Sequence, residues 1–133
     1  MTKVLSAIKA VIIHGNKFLV IRQKIGNKVT WDLPGGKVDY GESPYDTLHR
    51  EVKEEVCLDI EIIKPIGMWW FFREDGYQIV CSTFLCKAEH TNVNITKNPA
   101  NEKIEEFKWI TKKEFLEMPA NETLKKLISE LEW

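Results

Sequence analysis

A chain of 133 residues with net charge −1, 29% charged and 44% hydrophobic residues is long enough for one soluble domain with its own core. The near-neutral balance excludes a broad basic field for a DNA or RNA polymer, and no apolar stretch approaches the length of a membrane span. Cys57, Cys81 and Cys86 form no CxxC pair. They predict reduced thiols in a cytoplasmic protein, and the short apolar run at Ala10 to Ile13 predicts no signal peptide.

Residues 3–13 are rich in Val, Ile and Ala and predict a strand. A turn follows at His14-Gly15-Asn16-Lys17, then a second strand from Phe18 to Lys24. Arg22, Gln23 and Lys24 end that strand, with solvated edge residues as their plain reading. Gly26-Asn27-Lys28 predicts a flexible loop. Trp31 to Lys37 contains Gly35-Gly36, where glycine lets the backbone bend and come close to a ligand. Lys37 is placed either to touch phosphate or to face solvent.

Ser43, with Asp46 three positions later and Pro44 at the first helical position, predicts a capped helix start. Tyr45, Leu48, Val52 and Val56 recur at helical spacing. Glu51, Glu54 and Glu55 fall together on the neighbouring arc, where like charges repel. Arg50 and Lys53 offset only part of that cost. A hard divalent cation would offset it better, because Mg²⁺ prefers carboxylate and carbonyl oxygens and completes its shell with water and substrate phosphates. The competing reading is a solvated acidic face. The preceding Gly35-Gly36, the spaced Glu42 and Arg50 favour the metal.

Ile60 to Ile63 and Ile66 to Phe72 predict extended structure around Pro65. Glu74-Asp75-Gly76 predicts a turn, and Tyr77 to Lys87 a returning strand. Along Met68-Trp69-Trp70-Phe71-Phe72, alternation sends Trp69 and Phe71 one way and Trp70 and Phe72 the other. One pair reads as core; the other either is core as well or stacks a nucleobase or forms a dimer surface. Residues 88–103 predict a long polar loop closed by Glu102, ahead of a strand from Phe107 to Ile110. Thr111 and Glu114 form a capping box opening a short helix, which Met118-Pro119 breaks. Asn121 caps a last helix, Glu122 to Leu131, with Leu124, Leu127, Ile128 and Leu131 as its buried stripe. His14, His49 and His90 have no spacing suited to zinc or to a nucleophile–base pair.

The sequence Gly36, five residues, Glu42, seven residues, then Arg50-Glu51-Val52-x-Glu54-Glu55-x-Cys57-Leu58 resembles the Nudix box of the MutT-like pyrophosphohydrolases. One position departs: Cys57 stands where the family usually has the Gly that ends the helix. The resemblance implies an α+β fold, a mixed sheet flanked by helices in an α/β/α sandwich, as one domain over residues 1–133. It implies a Mg²⁺ site (Mn²⁺ the alternative) formed by the Gly35 carbonyl, Glu51, Glu54 and Glu55. Arg50 would orient Glu51. Glu51 is favoured as general base over the other box carboxylates and Glu102, with Glu105 and Glu106 as rivals to Glu102. Glu42 has a supporting role. Arg22 would contact phosphate. Asn121, within Pro119-Ala120-Asn121-Glu122, resembles the guanine-reading Asn of MutT-type 8-oxoguanine nucleotide hydrolases, with helix capping as its alternative role.

The implied reaction is Mg²⁺-dependent hydrolysis of a phosphoanhydride in a nucleoside diphosphate linked to another moiety. A nucleoside triphosphate is the leading substrate, 8-oxo-dGTP among the candidates, giving the monophosphate and pyrophosphate. Alternatives are a nucleotide sugar or a dinucleotide, or a non-hydrolytic nucleotide-binding sensor. The expected partner is a small nucleotide, with no nucleic-acid polymer and no membrane, for a monomer or homodimer.

Overall fold

The computed structural model describes residues 2–25, 27–97 and 104–133. The first strand, β1 (Val4–His14), runs through the middle of a mixed sheet. Its residues from Ala7 to Ile12 are all buried, as expected of a strand covered on both faces. Gly15, at φ +63°, makes the turn into β2 (Lys17–Ile25).

Lys28, read as the end of a loop, and Gly35 to Lys37, read as a turn, belong to strands: β3 (Lys28–Asp32) and β4 (Gly35–Lys37). Pairing decides this, since β3 lies antiparallel along the end of β2 and β4 lies antiparallel to β1. The two halves of β1 take different partners on one side. Ile13 and His14 pair with β2, whereas Ala7, Ile8 and Lys9 pair with Lys37, Gly36 and Gly35. The sheet forks there, and the fork brings the Gly-Gly segment against the central strand.

The helix α1 (Pro44–Val56) follows. Ser43 is its N-cap residue, but its side chain makes no cap hydrogen bond, so the predicted Ser43/Asp46 capping box does not form. Leu48, Val52 and Val56 are fully buried. Tyr45, expected on the same stripe, is exposed and sets its ring edge-on to Phe84.

The apolar segment around Pro65 is one strand, β5 (Ile60–Phe72), with two register shifts flanking Pro65. It pairs antiparallel with β6 (Gln78–Ala88), which runs parallel to β1. The main path of the sheet is β3-β2-β1-β6-β5, and β7 (Ile104–Ile110) adds to β2. The capping box of Thr111 and Glu114 opens α2 (Lys112–Leu116), and Asn121 caps α3 (Glu122–Glu130).

Two cores result. Ile8, Ala10 and Ile12 of β1 meet Leu48, Val52 and Val56 of α1 on one face. Ala7 and Val11 share the other face with Phe115, Leu124 and Ile128 of α2 and α3. This is the α/β/α sandwich that alternation along a central strand produces when helices cover both sides. Among the described residues no helix is long and apolar enough to cross a membrane.

Candidate active site

The box helix follows β4 so closely that side chains from its third and last turns return to the glycines. Glu55 is buried, and one of its carboxylate oxygens accepts the Gly35 N–H at 2.7 Å. A side chain on Gly36 would stand 2.5 Å from the Glu51 carboxyl carbon. Gly35 is held against β1 in a conformation with φ +143°, where a Cβ would lie 2.1 Å from the Ile8 carbonyl oxygen. Both glycines are therefore required by close approach: Gly35 to backbone, Gly36 to a carboxylate.

Arg50 organises the acidic side chains. Its Nε and Nη2 donate to the two oxygens of Glu42 at 3.1 and 3.0 Å, a two-point contact. Its Nη1 donates to Glu51 and Glu54, each at 3.2 Å. Asp39 lies 3.5 Å from Nη2. The Thr47 hydroxyl donates to Glu42 at 2.6 Å. Hydrogen bonds from Arg50, then Thr47, hold the Glu42 carboxyl well down, at about 2, and the same contact to Glu42 raises Arg50 above the ordinary arginine range. Glu42 is thus a direct partner of the guanidinium.

The donor set suits a hard divalent cation, because it consists of carboxylate oxygens beside the backbone of β4. Among the described residues no three acidic, His or Cys side chains already converge on one point. Arg50 Nη1 stands between Glu51 and Glu54. A cation would join carboxylates that the guanidinium now holds together, so the residues fit the group by chemistry and proximity.

Beneath the glycines lies a feature that sequence reasoning missed. Lys9, on β1 opposite Gly35, is buried and donates to Asp32 Oδ2 at 3.1 Å and to the Leu33 carbonyl at 3.3 Å. Asp32 Oδ1 accepts the Leu33 N–H at 2.6 Å. Burial opposes the Lys9 charge, but the Asp32 and Glu55 carboxylates outweigh it and its pKa is raised. The one signal available was a lysine inside an otherwise apolar strand; its partner is twenty-three positions away and has no periodic relation to it.

Other predicted residues separate into groups. Arg22 forms ion pairs with Glu105 at 3.9 Å and Glu106 at 3.6 Å; the phosphate contact expected of it competes with this pairing. Lys37, at the end of β4, is exposed. Trp69 is buried and stacks on Phe71, while Trp70 and Phe72 are 46% and 68% exposed, so alternation divides the aromatic run as expected. The Oδ1 of Asn121 caps α3 by accepting from the Thr123 and Leu124 N–H groups. Glu102 lies outside the described residues. His49 lines a groove of about 590 Å³ with Tyr45, Ile62 and Phe84, away from the carboxylate ridge.

A family model described as NUDIX domain matches residues 5–131. An RNA pyrophosphohydrolase of Helicobacter pylori (strain ATCC 700392 / 26695) is 31% identical over 108 residues, covering 72% of this chain and 68% of that protein. The mitochondrial NAD(P)H pyrophosphatase NUDT13 of Mus musculus is 34% identical over 82 residues, covering 61% of this chain and 23% of that protein. Among solved structures, the MutT protein from Methanosarcina mazei Go1 superposes with a TM-score of 0.82 at 22% identity, over 96% of this chain and 92% of that one. A C. elegans Ap4A hydrolase superposes with a TM-score of 0.77 at 19% identity, over 94% and 93%. Nudix hydrolases generally use divalent metal ions and act on small nucleotide substrates. The chain belongs to the NUDIX family, and is one of its pyrophosphohydrolases.

Proposed function

We propose that the chain hydrolyses a nucleoside triphosphate, with 8-oxo-dGTP among the candidates, to the monophosphate and pyrophosphate, using Mg²⁺ or, in its place, Mn²⁺. The observation that carries this reading is the set of carboxylates gathered on Arg50 beside Gly35 and Gly36. Glu51, Glu54, Glu55 and the Gly35 carbonyl would hold the cation. When bound, such a cation polarises phosphoryl oxygens and lowers the pKa of a bound water.

The chain's own residues supply the rest. Glu51 takes the proton of the attacking water, and Arg50 orients Glu51 through its charge-assisted hydrogen bond. Arg22 and Lys37 bind phosphate oxygens. Trp70 and Phe72 offer exposed ring faces to the base, and Asn121 reads its edge. The domain spans residues 1–133 and works in the cytoplasm.

The test is phosphate release from dGTP and 8-oxo-dGTP, with and without Mg²⁺, in the wild type and in Glu54→Gln. Loss of most activity in a folded variant is expected; equal turnover in the two proteins refutes the metal assignment.

The relatives named RNA pyrophosphohydrolase favour a second reading, in which the substrate is an RNA. The net charge of −1 counts against it, since polymer binding draws on clustered basic residues. Turnover of dGTP and of a short 5′-triphosphate RNA decides: the higher kcat/KM identifies the preferred substrate.

A further inference from the structure

We infer that Lys9 is a positioning residue for the active site: with Asp32 it clamps the segment Asp32–Gly35 so that the Gly35 N–H meets Glu55. The contacts form one continuous chain. The Lys9 ammonium bonds both the Asp32 carboxylate and the Leu33 carbonyl. The next residue, Ala10, donates its N–H to the Pro34 carbonyl at 2.9 Å. Lys9 itself pairs with Gly35 across the β1/β4 ladder, and Gly35 donates to Glu55. Two consecutive residues of the central strand therefore fix three consecutive residues of the segment, and the fourth presents its N–H to a box carboxylate.

A strand pair of three residues such as β4 supplies few backbone bonds to hold a turn against the sheet. Leu33 is fully buried, so its N–H and carbonyl need partners within the protein. The Lys9–Asp32 pair supplies both. A hydrophobic pair of similar volume would fill the same space without burying two charges, but it would strip the Leu33 N–H and carbonyl of the partners that the ion pair supplies. Its directional bonds specify where the segment sits, and an apolar pair would not.

Positioning requires an effect on Gly35 that outlives any effect on stability. Lys9→Met alone leaves Asp32 buried and uncompensated, so the informative protein is Lys9→Met/Asp32→Leu in the full chain. Amide exchange followed by NMR reads the Gly35–Glu55 bond without metal or substrate. At least a 10-fold faster exchange of the Gly35 N–H is expected, with the amides of Leu48 to Val52 unchanged. With dGTP and Mg²⁺, kcat falls at least 10-fold while KM stays within 3-fold. Asp32→Asn, nearly isosteric, keeps an acceptor for the Leu33 N–H but turns an amide donor toward the Lys9 ammonium and breaks that contact; faster exchange at Gly35 is expected here too. Wild-type Gly35 exchange in both variants overturns the inference. The kcat measurement rests on the hydrolase reading above, whereas the exchange measurement does not. A wild-type chain that hydrolyses nothing sinks that reading and leaves the exchange result to decide this one.

Discussion

The carboxyl group of Glu51 occupies the space in which any other residue at position 36 would carry its side chain, with 2.5 Å between an added Cβ and the Glu51 carboxyl carbon. The group in the way is the far end of a flexible side chain, so Gly36→Ala moves the carboxylate and spares the fold. Stability within about 1 kcal/mol of wild type is expected, with kcat down about 100-fold from misplacement of a reacting group. Gly35→Ala behaves differently, because its Cβ would lie 2.1 Å from the Ile8 carbonyl oxygen at φ +143°. That variant loses more than about 3 kcal/mol. Urea unfolding and turnover on the two proteins check the contrast; similar stabilities would remove it.

Arg50 links the box helix to its N-terminal loop through Glu42, and that link is pH-dependent. The Glu42 carboxyl is lowered from an ordinary 4.5 to about 2 by its hydrogen bonds to Arg50 and Thr47. A lowered folded-state pKa stabilises above the unfolded value and stops doing so as pH falls through the folded one. The contribution is therefore complete above about pH 4.5 and vanishes toward pH 2. In Arg50→Gln the Glu42 carboxyl should titrate nearer its ordinary value, followed by carboxyl-carbon NMR. Activity should drop about 10- to 100-fold, as when a group orienting a metal ligand is removed.

Cys57 ends α1 in the left-handed conformation, φ 59°, with its N–H on the Lys53 carbonyl. It is the sole described non-glycine residue with positive φ. The backbone has kept the helix stop that glycine favours, and a β-carbon there costs about 1 kcal/mol. Cys57→Gly should raise the urea midpoint by the equivalent of about 0.5–1 kcal/mol, net of glycine's extra unfolded-state freedom, with activity unchanged. A lower midpoint would show that the Cys57 side chain stabilises the turn by contacts that outweigh the strain.

Asn121 has two ends, an acceptor oxygen and an amide donor, that substitution can separate. Its Oδ1 is committed to capping α3, and the Thr123 hydroxyl lies between that oxygen and the Trp70 backbone, at 2.6 Å from the first and 2.7 Å from the Trp70 carbonyl. The cap is thereby tied to the strand that carries the exposed aromatics. Asn121→Asp keeps the cap acceptor and removes the amide donor, so stability should hold within about 0.5 kcal/mol. If the amide reads a base, selectivity for guanine over other purines falls at least 5-fold in a panel of triphosphates. Unchanged selectivity assigns Asn121 to capping alone.

The sequence carried the box helix, its acidic arc, the aromatic alternation and both C-terminal caps, because each depends on residues within one or two turns of one another. Spacing alone was enough to put Glu51, Glu54 and Glu55 on one arc of a helix, and to send Trp70 and Phe72 to one side of a strand. It left most of β3 unassigned and misjudged β4, since Gly35-Gly36 has no intrinsic strand preference and becomes a strand only through pairing with Ala7, Ile8 and Lys9. It misjudged Ser43, whose side chain makes no bond to the helix it precedes. It gave Glu42 a supporting role without a partner, and folding brings both its oxygens onto Arg50.

Tertiary structure alone joined Lys9 to Asp32 and set Glu55 on the Gly35 N–H. The distinction is physical. Helical and strand periods are properties of the local backbone and can be counted along the chain. A buried ion pair or a glycine pressed against a carboxylate exists only after two distant segments have been brought together by hydrophobic burial on both faces of β1.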